Sequence, residues 1–213
     1  MKSSLNSLKH AEMFALLAMV FLLMIGYLQE KLTSSRPPEE PPIILIPSED
    51  LSFETARAFP RQGSNYLRDY IKNEIVPQIE KQLKLYDVNM LEIIGHTDGN
   101  PISGVGNLDK NLLNDLARLD ANQIEFNDLV TRFKKLEAGS NADLGLIRAL
   151  IVIKTLQDLQ KTGECKCEVK AFRAYSAAQL YLSGNKPEPV PSSRKDNPNR
   201  RRIEIRFTKW NPN

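Results

Sequence analysis

Few residues in this chain combine a type and a setting that could do chemistry. His96-Thr97-Asp98-Gly99 ends the stretch "LEIIGHTDGN" (91–100), where an apolar run (Leu91, Ile93, Ile94) breaks at Gly95. A strand that stops by presenting an imidazole, a hydroxyl and a carboxylate at a glycine-flanked turn suits catalysis, metal binding or one half of a ligand clamp. Asp98 can equally close its own turn on backbone N–H groups. Arg148, in "NADLGLIRA", is the second candidate. Its planar guanidinium can take a carboxylate with two parallel hydrogen bonds, although a solvated helix residue is the plainer alternative. Glu12 is the third, standing directly before an uncharged run, Met13–Leu28. A carboxyl at the start of a lipid-embedded helix is costly when ionised and unpaired, so it binds a proton readily. In the headgroup region it would merely flank an anchor.

Composition removes several classes. Two cysteines, Cys165 and Cys167, and two histidines, His10 and His96, are thin material for a zinc site, and no metal or other cofactor is expected. There is no G-x-S-x-G, no P-loop and no paired nucleophile and base, so the chain does not read as an enzyme. The net charge of +3 is too small to imply an electrostatic partner. For Cys165 and Cys167 a disulfide, an intermolecular bridge and free thiols all remain open.

The elements that must position these residues follow from patterning. The apolar run with Ala11 and Glu12 is about 18 residues, roughly 27 Å of helix, which matches a bilayer core. No small-x-small cleavage site follows it, so an uncleaved single-span anchor over 11–29 is expected, behind a cytoplasmic tail of residues 1–10. Residues 30–42 are polar and proline-rich, a stiff spacer reaching no more than about 40 Å. The folded domain is expected over 43–213. It opens with a β-like run (43–53), followed by an amphipathic helix with Leu67, Ile71, Ile75, Ile79 and Leu83 at four-residue spacing and a kink at Pro77. A strand over 88–95 comes next, then helical patterning over 107–137. Asn141 reads as the cap of a long helix that Gly163 stops. "CKCEVKAF" reads as a third strand, residues 175–182 as a short helix, 186–198 as a proline-rich loop and "RRIEIRFTKW" as the last strand. This order describes an α/β sandwich, with helices packed on one face of a mixed sheet.

"IIGHTDG", "NADLGLIRA" and "RRRIEIRF", taken in that order, resemble the three signature blocks of the OmpA-like peptidoglycan-binding domain. The resemblance covers about residues 43–208, with a helical insertion near 104–139. It implies a clamp on the diaminopimelate of the peptidoglycan stem peptide, with Asp98 taking the ammonium and Arg148 the carboxylate. Thr97, Asn141 and Leu144 belong to the same blocks, Asn141 as a helix cap that orders the site, and His96 reads as structural. There are two departures. Gly145 stands where a small hydroxyl residue is common. Arg200 stands where an asparagine is expected before the arginine pair, so Arg201 and Arg202 are counted among the peptidoglycan-binding residues with their individual parts left open. On this reading the basic cluster of Arg194, Lys195, Arg200, Arg201 and Arg202 is a rim facing anionic wall polymer or a solvated loop, with no nucleic acid involved.

"HAEMFALLAMVFLLM" (10–24) resembles the membrane segment of MotB-type stator subunits, with Glu12 where that family generally has aspartate. Ala11, Ala15 and Ala18 lie beside it and would allow close helix contact. The resemblance implies an ion-driven motor in which two copies of the chain sit inside a pentameric ring of a MotA-like polytopic partner. Glu12 would carry the ion, a proton by preference for a lone carboxyl, and the periplasmic domain would hold the wall. The short linker is closer to the ZorB subunit of Zorya anti-phage systems, whose partner is ZorA, than to a flagellar stator. The alternative is a passive tether between inner membrane and wall, which needs the clamp and gives Glu12 no task.

Overall fold

The computed structural model describes residues 2–34, 40–51, 53, 57–102, 104–109, 126–180 and 197–211. The chain forms two compact units, Met1–Glu40 and Pro41–Asn213. Among its described residues the first contains one helix, α1 (Lys2–Ser34). Its segment Met13–Lys31 is long and apolar enough to cross a membrane, with a mean hydropathy of 1.9. Large apolar side chains along it, Phe14, Leu17, Phe21 and Leu23 among them, are exposed within the chain. An apolar surface of that extent needs lipid or a partner to cover it.

Among the described residues the second unit is built on a four-stranded sheet in the order β1-β4-β2-β3. The strands are β1 (Ile44–Pro47), β2 (Met90–His96), β3 (Ala171–Ala178) and β4 (Arg202–Thr208). β1 and β2 both run antiparallel to β4, while β2 and β3 are parallel. Register follows the two-residue alternation of side chains. Ile93 pairs with Ile205 and Ala174, Gly95 with Ile203 and Ser176, and Ile44 with Ile205. These residues share one face, and Leu91, Ile93, Ile203, Ile205 and Ile46 are sealed from solvent on it. The other face is a charged ladder of Glu92, His96, Arg202, Glu204 and Arg206.

Helices cover the apolar face: α2 (Ser48–Leu51), α3 (Ser64–Tyr70), α4 (Val76–Leu85), α5 (Phe126–Phe133) and α6 (Asn141–Lys161). α3 and α4 are joined through a π-helical turn, Ile71–Ile75, which ends two residues before Pro77 in the first turn of α4. The kink expected at Pro77 takes this form. Proline cannot donate to the preceding turn, and strict four-residue spacing overshoots an ideal turn of about 3.6 residues. The wider π turn absorbs that drift and keeps Leu67, Ile71, Ile75 and Ile79 on one buried line. α6 is buried on nearly every side, Ala149, Val152 and Leu156 included, rather than along a single stripe.

Four sequence expectations need correction. The β-like run at 43–53 stops at Pro47, and Ser48, Glu49 and Asp50 begin a short helix whose first turn favours acidic residues. "CKCEVKAF" is mostly outside the third strand, which starts at Ala171 where β2 offers a partner. The helix expected at 175–182 is strand as far as Ala178, because Tyr175 and Ser176 continue to pair with Ile94 and Gly95. Asn141 is not the cap of α6. Ser140 is, its hydroxyl accepting from the Asp143 N–H at 3.1 Å. The stretch 110–125 of the helical insertion, the loop residues 186–196 with Arg194 and Lys195, and linker residues 35–39 lie outside the described residues.

Both ends of the insertion are pinned together beside α6. Asn107 donates its N–H to the Glu137 carbonyl and its side-chain amide to the Lys135 carbonyl, and its Oδ1 accepts from the Glu137 N–H. Gly139 in turn donates to Asp143 Oδ2. The described ends of the insertion therefore meet at its base.

Candidate functional site

The C-terminal end of β2, the approach to β4 and the first turns of α6 converge. β2 carries Asp98 out of the sheet just past its last paired residue, His96. The Thr97 N–H donates to the Ala178 carbonyl at 2.8 Å, and its hydroxyl bonds the Asp98 carbonyl, so the buried Thr97 fixes how the turn leaves the sheet. Asp98 Oδ1 accepts from the Asn100 N–H, the turn-closing bond expected of an aspartate there. Its Oδ2 accepts from Arg201 Nη1 at 2.6 Å. Asn141 ties the helix to this turn by donating Nδ2 to the Asn100 carbonyl at 2.8 Å.

What allows α6 to come so close is a pair of glycines. A Cβ on Gly95 would lie 2.0 Å from the Gly145 carbonyl oxygen, and one on Gly145 would lie 2.7 Å from the Gly95 carbonyl oxygen and 2.3 Å from Ser176 Oγ. Helix and strand touch backbone to backbone, so Gly145 serves packing where the resembling domains commonly have a hydroxyl. One turn later α6 delivers Arg148, and Leu144 anchors the same stretch in the core.

Arg148 is 1% exposed. Its Nε and Nη2 both donate to the Arg57 carbonyl, at 3.1 and 2.7 Å, and its guanidinium stacks 4.7 Å from the centroid of the Phe53 ring. Burial lowers its pKa to about 9, Arg201 pushes in the same direction, and Asp98 opposes both. The group is still a cation at neutral pH. That Arg201 and Asp98 bear on it electrostatically marks the three as one charged cluster at the end of the sheet.

Arg202 belongs elsewhere. It faces the charged side of the sheet, where its Nε and Nη2 bond Glu204 Oε1 at 3.1 and 2.8 Å. Arg206 takes Glu204 Oε2, and His96 Nε2 lies 3.1 Å from Oε1. Burial alone would raise the Glu204 pKa, but His96, Arg202 and Arg206 together hold it down at about 2. His96 thus lies against a buried carboxylate. Arg200 donates to the Gln179 carbonyl.

Sequence reasoning singled out Asp98, Arg148, Thr97, Asn141, Leu144, Arg201 and Arg202; the first six lie at this convergence, whereas Arg202 lies on the charged face of the sheet with Glu204. It missed the Arg57 carbonyl and the Phe53 ring, which carry no motif. It counted Arg201 and Arg202 alike among the binding residues without separating their parts, and the register of β4 separates them. Glu12 lies in α1, one residue before the Met13–Lys31 segment, in the other compact unit.

No family model matches this chain, and no curated protein does. Among solved structures it is similar to two crystal structures of the periplasmic domain of Helicobacter pylori MotB, which cover segments of different length. One is 18% identical with a TM-score of 0.42, over 82% of this chain and 86% of that one. The other is 19% identical with a TM-score of 0.41, over 82% of this chain and 80% of that one.

Proposed function

We propose that this chain is a peptidoglycan-anchored inner-membrane subunit of an ion-driven motor of the MotA/MotB kind. The N-terminus is cytoplasmic, α1 crosses the membrane, and the unit beyond it grips the wall from the periplasm. The observation that carries this reading is that Asp98, from the end of β2, and Arg148, from α6, belong to one charged cluster with Arg201, on a chain whose N-terminal helix can span a bilayer. The chemistry suits a zwitterion. The ammonium of diaminopimelate would replace Arg201 on Asp98, and its carboxylate would replace the Arg57 carbonyl on Arg148. Both existing partners are like the ligand in charge or hydrogen-bonding sense, so each exchange swaps one satisfied contact for another and leaves no buried charge bare. Displaced from Asp98, Arg201 becomes a second donor for the ligand carboxylate. Arg202 supports from the other face of β4 by fixing Glu204.

In this reading Glu12 carries the coupling ion, a proton, past a MotA-like polytopic ring around a homodimer of this chain. The short segment between α1 and β1 favours a defence motor of the ZorA–ZorB kind over a flagellar stator.

The test has two arms, both on the full chain in detergent micelles. Wild type should sediment with purified sacculi, while D98N and R148K, checked as folded by circular dichroism, should lose at least about tenfold in affinity. Sedimentation of both variants at the wild-type level, or failure of the wild type, refutes the wall anchor. Reconstituted with the polytopic partner, E12Q should assemble and pass no ions. Undiminished flux would leave the passive tether as the function.

A further inference from the structure

Cys165 and Cys167 are joined by a disulfide, and both are buried. The bridge spans a single intervening residue, so it cross-links no separate segments, and the chain-entropy gain from so short a loop is small. The loop is held without it. The Glu164 and Cys165 N–H groups both donate to the Leu159 carbonyl at 2.9 Å, at the end of α6. Gln160 Nε2 donates to the Cys167 carbonyl at 2.7 Å, and the Lys166 N–H donates to Glu80 Oε1 of α4 at 2.8 Å. Each cysteine is therefore flanked by bonds that survive opening of the sulfur bridge. The same bonds bring Glu80 against it, and one carboxylate oxygen and the two Sγ atoms lie within 4.8 Å of one another.

We propose that this corner is a redox-gated metal site, in which the reduced Cys165–Cys167 pair and Glu80 bind a thiophilic divalent cation such as Zn²⁺. A small dithiol of the thiol–disulfide oxidoreductase class supplies the electrons. Its two thiols become a disulfide as the Cys165–Cys167 bond breaks to two thiols. The cation then displaces both thiol protons, giving two thiolates and one carboxylate as ligands. Two sulfurs and one oxygen are a donor set Zn²⁺ accepts, with its fourth tetrahedral position left to water. Two thiolates in this buried corner need a compensating cation, which the metal supplies and which couples its binding to proton release. In the oxidised state the sulfurs are spent on each other and the site is closed to metal. The sparse count of cysteines and histidines hid this arrangement, because the third donor comes from a helix 85 residues earlier in the chain.

The experiment uses the full chain in detergent, reduced with a phosphine, desalted without air and titrated with Co²⁺. Reduced wild type should develop thiolate-to-cobalt charge-transfer absorption at one equivalent, Zn²⁺ should abolish it, and oxidised wild type should show none. E80Q should bind at least about tenfold more weakly. Zn²⁺ should also raise the melting midpoint of reduced wild type and leave the oxidised protein unmoved, a readout that needs no variant. Absence of the band in reduced wild type, or an equal band in C165S/C167S, overturns the site. Equal affinity in E80Q removes Glu80 from it.

Discussion

Substituting Gly95 by alanine tests whether the backbone contact of α6 on β2 is what brings Arg148 into the charged cluster with Asp98 and Arg201. The added Cβ would stand 2.0 Å from the Gly145 carbonyl oxygen, 2.7 Å from its carbonyl carbon and 3.0 Å from its Cα. All three are backbone atoms in the middle of a helix, so no rotamer change relieves the clash. Helix and strand must separate by about 1 Å to restore ordinary contact, and the facing residues Leu91, Ile93, Leu144 and Ile147 lose packing as they part. Overpacking typically costs about 1–3 kcal/mol, and a rigid neighbour puts this case near about 3 kcal/mol. The lower chain entropy of unfolded alanine returns less than about 1 kcal/mol. In a unit the size of Pro41–Asn213, a net loss of about 2 kcal/mol lowers Tm by roughly 4–8 °C. Thermal unfolding followed by circular dichroism reads this directly. Gly104→Ala is the control, since its Cβ meets nothing closer than the Ala138 carbonyl oxygen at 4.0 Å. Tm values for G95A and G104A within a degree of each other would refute the close-approach account of the site.

Three further outcomes follow from the same contacts. S140A removes the cap of α6 and should cost about 1 kcal/mol in urea unfolding, whereas N141D, which keeps a capping-type side chain but loses the Nδ2 donor to Asn100, should leave the helix start intact and weaken sedimentation with sacculi. The Glu204 carboxyl is held at about 2 in the folded state against an ordinary value of about 4.5. The stability it contributes is therefore fully present above about pH 4.5 and is lost as pH falls toward 2. In urea midpoints measured from pH 7 to pH 2, E204Q should flatten that acid limb and start from a lower plateau, because it strips a charged partner from Arg202 and His96. R68A deletes the pairs to Asp158 and Glu164 at the end of α6. These are exposed enough to be screened by solvent, so the shift in the urea midpoint should be small and shrink further in high salt.

How much of this was legible in the sequence depended on whether the deciding interaction was local. β2 could be read because Leu91 and Ile93 alternate and Gly95 ends the run. The line of apolar residues from Leu67 to Ile79 could be read because its spacing is helical. The start of α6 was misplaced by one residue because Ser140 and Asn141 are adjacent and both are good caps. Only the bond from Asp143 distinguishes them. β3 was placed too early because "CKCEVKAF" alternates as convincingly as "AFRAYSAA", and the choice between them is made by where Met90–His96 lies alongside. The Arg57 carbonyl could not have been found, since every residue has one. Gly145 was visible only as a departure, and its packing role needed the position of Gly95.

Arg201 is the instructive case, because the information was present but needed one structural fact to release it. Three consecutive arginines, Arg200 to Arg202, offer no internal hint of which meets Asp98. Once the antiparallel register sets His96 opposite Arg202, one further step along the ladder puts Arg201 beside Thr97, where Asp98 leaves the sheet. Alternation then sends Arg202 with Glu204 and Arg206 to the charged face. A one-residue slip of β4 would exchange the two arginines and turn Ile203 and Ile205 out of the core, at a cost of several buried side chains. The apolar residues of β4 thus decide which arginine guards the aspartate, and the electrostatics of the site are inherited from the packing of the sheet.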